Sequence, residues 1–557
     1  MNKYTAKIKQ FIVVAGLFPV LFWEYVQAQS AVVSVDLDGN VKSLPCQIMP
    51  AEDSRALLQA DSVRLLQGYP LRVGTVQPVN LALQASATID TLPDGTVVYR
   101  HVLISPGAFA VAVHLTYTRV PEGAELWLYT PDHMTVVTYT SEDLNETDPF
   151  LSSNLPGEMI VVEYREPSHA SFQGELFIAN LLHAYRDTPM FDNDTEYKED
   201  KGTHGSAEGS CHIDINCPDA AAWTTIAKSV VYLEITIPSG SDAGTYLCTG
   251  TMLNNARNDK RLFLLTANHC EAVTGQGIFR VYFNYQSTSC NSTKGYGGDV
   301  YNKTVVIRAR DNYTKSSDFL LLELTGTLTA GVSSNIYLAG WNRTYTTSSP
   351  PTAGACIHHP GGDFKKVSFP QSVKSGGTRF WEVSWKIGIY NQGVTEAGSS
   401  GSALFDANGL LVGQLYGGNS SCNYASGTDS YGRIGYSWTN GSQSDDAKKL
   451  QPWLDPDNTG TMTVDGTSLG ISHIERKIIH CTVFPNPCSD KITLQGDFTG
   501  KTVTCALFNL MGQEVFHAIL PASSEIQCTL PVLPNGMYIL HLTQKDQVFY
   551  TKVVISK

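Results

Sequence analysis

"TEAGSSGSALFD", residues 395–406, packs three serines and two glycines into five positions and then enters "LFDANGLLVGQLYGG", residues 404–418. By composition the first part is a flexible connector, because Gly and Ser clusters mark loops. The second part alternates apolar residues about Asn408-Gly409, the pattern of a β-hairpin. A glycine-rich loop on the lip of a hairpin is also where a rigid scaffold holds a reactive side chain. The surrounding chain decides between the two.

From Cys211 to about residue 466, short apolar runs recur with turn signals between them, among them "VVYLEI", "TYLCTGTML", "RVYFNYQS" and "NIYLAGW". Many short strands without a long amphipathic helix predict a sandwich or a pair of barrels. "DAKKLQPWLDP", residues 446–456, predicts a closing helix that ends near Pro456. Residues 29 to about 186 read as another all-β module, with runs such as "VAVHLTYTRV" and "GELFIANLLHAY" and the single cysteine Cys46. Residues 186–210 are polar, acidic and aperiodic, hence an exposed linker open to proteolysis. The stretch from Cys481 is β-rich again and has the size of one small sandwich; the pairing of Cys481, Cys488, Cys505 and Cys528 stays open.

A chain of 557 residues exceeds one ordinary core, so several domains are expected. Hydrophobic residues at 42% against 16% charged exclude a largely disordered protein. A formal net charge of −13 argues against a nucleic-acid partner, which calls for a basic patch. Lys3, Lys7 and Lys9, then "FIVVAGLFPVLFW" and a small-residue site ending at Ala28, form a secretory signal peptide over residues 1–28. The competing reading is a single anchoring helix, for which the apolar run is short. Twelve cysteines in an exported chain imply disulfides. With neither Cys-x-x-Cys nor His-Glu-x-x-His present, no metal or other cofactor is expected.

Three stretches of the middle segment belong together chemically. "LLTANHC" sets His269 after an apolar strand, "SSDFLLLEL" sets Asp318 at the mouth of another, and "GSSGSA" offers Ser399, Ser400 and Ser402. A serine hydroxyl is a poor nucleophile unless a base lies within hydrogen-bond reach and a carboxylate orients that base. The chain order His, Asp, Ser differs from the α/β-hydrolases and the subtilisins, and Ser402 stands where a nucleophile elbow has its second glycine. Each piece alone has a structural explanation; their joint order in one exported all-β segment favours catalysis.

"TANHC", "SDFLLLEL" and "GVTEAGSSGSALF" resemble the active-site signatures of the bacterial lysyl endopeptidases, a family of chymotrypsin-like serine proteases. The similarity runs over 209–466 through "GSCHIDINCP", "CTGTMLNN", "IHHP", "GQLYGGNSSC" and "DSYGRIGYSW". It implies a double β-barrel with the active site between barrels. His269 would be general base and then acid, Asp318 its orienting carboxylate, and Ser400 the nucleophile. The N–H groups of Gly398 and Ser400 would form the oxyanion hole. The resemblance further implies disulfides Cys211–Cys422, Cys217–Cys290 and Cys248–Cys270, leaving Cys356 a buried free thiol. His358 and His359 suggest a metal pair, but neighbours on a strand face opposite ways, so a structural role is preferred.

Cleavage after a basic residue needs a carboxylate at the bottom of the S1 pocket, and in this family it lies just before "YGR", at Asp429. By residue reading alone Asp429 is an ordinary loop residue. Cleavage after lysine is expected, with arginine second. The family's histidine beside the site is replaced by Tyr416, and its tryptophan partner has no counterpart before "TRFWEVSW". Tyr416, Gly417 and Gly418 are expected to pair with substrate backbone.

The flanks then gain roles. Residues 29–201 would be a β-rich propeptide with its acidic linker that assists folding or blocks the cleft, and cutting at Lys201–Gly202 would turn this zymogen into the mature enzyme, with the protease domain over 202–466 and a linker over 467–480. "VFPNP", "LFNLMGQEV", "LPNGMYILHL" and "TKVVISK" make residues 481–557 resemble the C-terminal sorting domain of the type IX secretion route of Bacteroidetes. The alternative there is a plain β-sandwich that binds carbohydrate or another surface. The expectation is an all-β, secreted or cell-surface monomer acting on protein and peptide substrates and handled by the secretion machinery. Its rivals are a catalytically silent homologue serving as an adhesin or binding module, and a protease of other specificity for which Asp429 is irrelevant.

Overall fold

The computed structural model describes residues 29–37, 40–146, 149–188, 211–271, 277–326, 328, 335–386, 393–424, 426–469, 477–478, 481–496, 498, 502–509, 514–544 and 547–557. Ala28 and Lys201 lie outside the described residues. The chain divides into two compact units, Met1–Gly470 and Ile471–Lys557.

Strand follows strand through the first unit, as its runs of β-branched and aromatic residues require. Two sheets face each other in the N-terminal module. One contains Val97–Ile104 flanked by Met159–Glu166 and Asn40–Ile48; the other contains Ala110–Arg119, Glu175–Ala184 and Leu71–Ala82. Leu103, Val113, Leu126, Val162 and Leu181 fill the space between them. The longest helix to break the all-β pattern is Ser54–Leu66, capped by the Asp53 carboxylate, which accepts from the backbone N–H of Arg55 and Ala56 at 3.1 Å each.

The middle segment folds as two antiparallel half-barrels. In the first, Gly244–Leu253 pairs with Val230–Ile237 on one side and, over Thr251–Leu253, with Phe263–Ala267 on the other. Phe263–Ala267 pairs in turn with Phe319–Leu324. In the second, Ala403–Asp406, Leu411–Gly418, Thr428–Arg433 and Phe380–Trp385 lie side by side. A buried cluster containing Leu265, Leu321, Trp341, Phe405 and Trp438 draws on both halves. Disulfides join Cys211 to Cys422, Cys217 to Cys290 and Cys248 to Cys270.

Two features differ from the sequence expectation. The closing helix is broken into a 3-10 turn Asp446–Lys448 and a single helical turn Gln451–Leu454, whose first turn holds Pro452. The N-terminal module also shares a sheet with the first half-barrel: Leu71–Ala82 pairs with Gly244–Leu253, with Leu71 opposite Leu247 and Gly74 opposite Thr245.

The second unit is a small sandwich. Gln547–Ile555, Gly536–Gln544, Thr502–Phe508 and Glu514–Pro521 form one sheet, and Cys481–Phe484, Lys491–Gly496 and Glu525–Thr529 the other. Ile492, Leu494, Leu507, Leu540 and Val553 are buried in its core. Cys505 and Cys528 bring their sulfurs to 3.8 Å there.

Candidate active site

The register of two strands brings His269 and Asp318 together. Ala267 lies opposite Phe319, so the residues just beyond one strand end and just before the other meet at the same rim. His269 Nδ1 lies 2.6 Å from Asp318 Oδ2, and the His269 N–H donates to Oδ1 at 3.2 Å. This bidentate hold favours the tautomer with the proton on Nδ1 and the lone pair on Nε2. Asp318 is fully buried, and burial pushes its carboxyl above the ordinary range while the His269 contact pulls it back.

The backbone at Asp318 is left-handed, φ 60°, a conformation non-glycine residues rarely hold without support. Asn268 N–H donates to the Asp318 carbonyl at 3.0 Å, and Gln414 Nε2 reaches it from the second half-barrel at 3.3 Å. Arg310 fixes the histidine turn from the other side, donating to Asn268 Oδ1 at 2.7 Å and pairing with buried Glu271. The Cys248–Cys270 disulfide pins the residue after His269 to strand Gly244–Leu253.

The serine loop sorts its three serines by environment. Ser399 is fully buried and bonded to His358 Nδ1 at 2.7 Å; Ser402 is fully buried, 3.3 Å from the Cys356 sulfur. Ser400 alone keeps partial exposure, and among the described residues its hydroxyl has no hydrogen-bond partner, His269 included. Catalytic hydrogen bonds are often open in a free enzyme and tighten on substrate. The loop is fastened by its carbonyls: Thr249 N–H donates to the Ser400 carbonyl at 2.9 Å, and Thr249 Oγ1 to that of Gly398 at 3.0 Å. Among the described residues the N–H groups of Gly398 and Ser400 are left without a protein acceptor. Gly398 (φ +91°) and Gly401 (φ +83°) make the turn possible; a Cβ at Gly401 would come within 2.5 Å of the Thr249 carbonyl oxygen.

Asp429 sits in strand Thr428–Arg433 at 1% exposure, rather than in a loop. Trp385 Nε1 donates to its Oδ2 at 2.6 Å, Thr395 Oγ1 does so at 2.5 Å, and the Ser420 hydroxyl also donates to that atom. The Ser420 N–H reaches Oδ1 at 3.3 Å. Among the described residues no lysine, arginine or histidine pairs with this carboxylate. Gly418 lies directly against it, so that a Cβ there would stand 2.0 Å from Asp429 Oδ1. Among the described residues, no strand pairs with strand Leu411–Gly418 beyond Gln414 on the side away from Thr428–Arg433, so Tyr416–Gly418 offers an edge.

Tyr416 presents its ring edge-on to His269, centroids 5.9 Å apart. Tyr313 and Phe380 pack on the same ring at 5.0 and 5.6 Å. Burial and the nearby Asp318 charge push the Tyr416 hydroxyl up to about 12. His358 and His359 are fully buried, with His359 Nδ1 2.9 Å from the Asp363 carbonyl oxygen; they brace the loop without facing a common ligand. Three sulfur and nitrogen atoms do converge at Cys211, His212 and Cys422, but both sulfurs are tied in a disulfide. Sequence reading missed the roles of Thr249, Gln414 and Thr395, which stand inside the quoted blocks without any chemical signal of their own, and of Trp385, Tyr313 and Phe380, which stand outside the three active-site signatures.

With this geometry in place, comparison with known proteins is specific. Residues 205–432 match the family model described as the lysyl endopeptidase C-terminal domain. The middle segment is a serine endopeptidase domain similar to the lysyl endopeptidases. A lysyl endopeptidase of Pseudomonas aeruginosa is 29% identical over 396 residues, covering 67% of this chain and 80% of that protein. A solved Glu endopeptidase in complex with MPD aligns with this endopeptidase over 40% of this chain and 94% of its own, at 19% identity and a TM-score of 0.27. Residues 482–556 match the model of a secretion system C-terminal sorting domain.

Proposed function

We propose that the endopeptidase domain hydrolyses peptide bonds after lysine, with arginine second, through His269, Asp318, Ser400 and an acyl-enzyme. The observation that carries the specificity is Asp429: a buried carboxylate supplied with four hydrogen-bond donors and no cation. Burying a charge without a counter-charge is costly. A lysine ammonium reaching this carboxylate supplies the missing partner, and a substrate with a neutral or acidic side chain does not.

In the reaction, Ser400 Oγ attacks the scissile carbonyl carbon as His269 Nε2 takes its proton. Asp318 holds the imidazole by Nδ1–H and stabilises the imidazolium. The carbonyl oxygen becomes an oxyanion between the uncommitted N–H groups of Gly398 and Ser400. Collapse breaks the C–N bond, His269 returns the proton to the leaving amine, and water repeats the sequence to release the acid. The edge at Tyr416–Gly418 pairs with substrate backbone.

Export through a signal peptide cut after Ala28, cleavage of the chain at Lys201–Gly202, and handling of residues 481–557 by secretion machinery complete the reading. The match to a sorting domain supports the last step and an extracellular or cell-surface destination.

Digestion of one denatured protein, with the new C-termini read by mass spectrometry, tests the specificity. Termini enriched in lysine support it; termini without lysine or arginine remove Asp429 as the S1 acid. Labelling by a fluorophosphonate, lost in Ser400→Ala, separates an active protease from a silent homologue that acts as an adhesin.

A further inference from the structure

The first half-barrel does not close its own edge. Strand Gly244–Leu253 is covered by Phe263–Ala267 only over Thr251–Leu253, and the part towards Gly244 is paired instead by Leu71–Ala82 of the N-terminal module. Unpaired strand edges are templates for unwanted pairing, and native proteins cover them.

Beside this shared ladder lies an ion pair, Glu234–Arg280, exposed by 1% and 0%. Both residues belong to the half-barrel, where the Tyr282 hydroxyl donates to Glu234 Oε2 at 3.1 Å, and their other hydrogen bonds are completed from the N-terminal module. Asn154 Nδ2 donates to Glu234 Oε2 at 2.9 Å, and Arg280 Nη2 donates to Asn154 Oδ1 at 2.9 Å. Arg280 Nη1 donates to the Ser152 carbonyl. Apolar packing runs alongside: Leu71 and Val73 cluster with Tyr232, Leu247 and Tyr282. At the periphery, Arg64 donates to Asp242 Oδ1 at 3.1 Å and to the Tyr246 hydroxyl at 3.0 Å. Taking the module away would strip partners from a buried charge pair and bare a strand edge in one step.

The docking face is not the cleft. Among the described residues, no hydrogen bond or ion pair joins residues 29–188 to His269, Asp318, Ser400 or Asp429. The link is indirect: Thr249, which holds the Ser400 and Gly398 carbonyls, lies two residues beyond Leu247 on the strand that receives the module.

We propose that the N-terminal module is a retained companion of the first half-barrel and not a plug of the active site. Cut within residues 189–210, it stays seated on the Gly244–Leu253 edge and leaves the cleft open to substrate. This rests on the proposed maturation within that segment.

The test uses the full-length protein with one recognition sequence for a site-specific protease placed between residues 189 and 210. After cutting, the two fragments are expected to co-elute on size exclusion at micromolar concentration. The cut complex is expected to react with a fluorophosphonate as fast as the protein freed of the module. Arg64→Ala combined with Asn154→Asp, both on the module, is expected to weaken the association at least tenfold. Separation of the unaltered fragments overturns the proposal, as does labelling that begins only once the module is gone. A double variant that stays bound as tightly as the parent overturns the assigned face. Co-elution of the unaltered fragments and tenfold weaker binding by the double variant, with no labelling in either state, supports the docking and removes the protease reading alone.

Discussion

Trp385 stands two residues along its strand from Val383, the residue opposite Asp429 on the neighbouring strand, and its indole N–H donates diagonally to the Asp429 carboxylate at 2.6 Å. A carboxylate so held is positioned but not neutralised. Asp429→Asn is therefore expected to lower kcat/KM for a lysyl amide by about 10²–10³, the scale of removing one partner of a desolvated charge pair. Trp385→Phe removes one donor and keeps the charge, so lysine remains the preferred residue and the loss is smaller. Steady-state kinetics on matched lysyl, arginyl and norleucyl substrates check both.

Tyr416 meets His269 edge-on and is packed by Tyr313 and Phe380. Tyr416→Ala removes the aromatic wall that limits the imidazole's motion. A fall in kcat/KM of about three- to tenfold is expected, the scale of one aromatic pair. Tyr416→Phe keeps the ring and is expected to match the parent. A larger loss in the Phe variant than in the Ala variant would show that the hydroxyl, not the ring, matters.

The Cys248–Cys270 bridge closes a sequence separation of 22 residues around the histidine turn. Replacing both cysteines by alanine is expected to cost about 3 kcal/mol of stability by the loop-entropy relation. Denaturant unfolding of the Ser400→Ala protein with and without the bridge measures it, self-digestion being absent. In the active protein, the same change is expected to lower kcat more than it raises KM.

Stability is expected to fall as pH drops below about 6.5, the ordinary histidine value. Burial, with nearby positive groups, holds His358 and His359 well below that value. Between the folded and unfolded values the unfolded chain binds more protons, so acid favours unfolding by up to about 1.4 kcal/mol per pH unit for each ring. The contribution is fully present above 6.5 and is lost on the acid side. Melting temperatures of Ser400→Ala from pH 4.5 to 7.5 check the slope, and His358→Asn is expected to reduce it.

The order His, Asp, Ser and the hairpin after the serine loop were legible because both are local. "LLTANHC" and "SSDFLLLEL" each carry a strand and the residue at its end, and pairing those strands is enough to join His269 to Asp318. The donors around Asp429 were not legible, since Trp385 reaches it from a neighbouring strand while Thr395 and Ser420 come from two separate loops. Helix Ser54–Leu66 escaped because it carries no apolar stripe; its one buried residue is Asp61. The closing helix was over-read, for Pro452 cannot sit inside a longer one. Pairing of Leu71 with Leu247 leaves no trace in either segment's pattern, since any exposed edge accepts a backbone partner.

Leu71–Ala82 precedes Gly244–Leu253 in the chain, and this order has a consequence for how the molecule is made. A ribosome, or a membrane channel passing the chain amino end first, delivers the docking strand before the strand that needs it. The early-born edge can then act as a mould on which the first half-barrel is laid down, so that a long-range and intrinsically slow strand pairing begins from a finished surface.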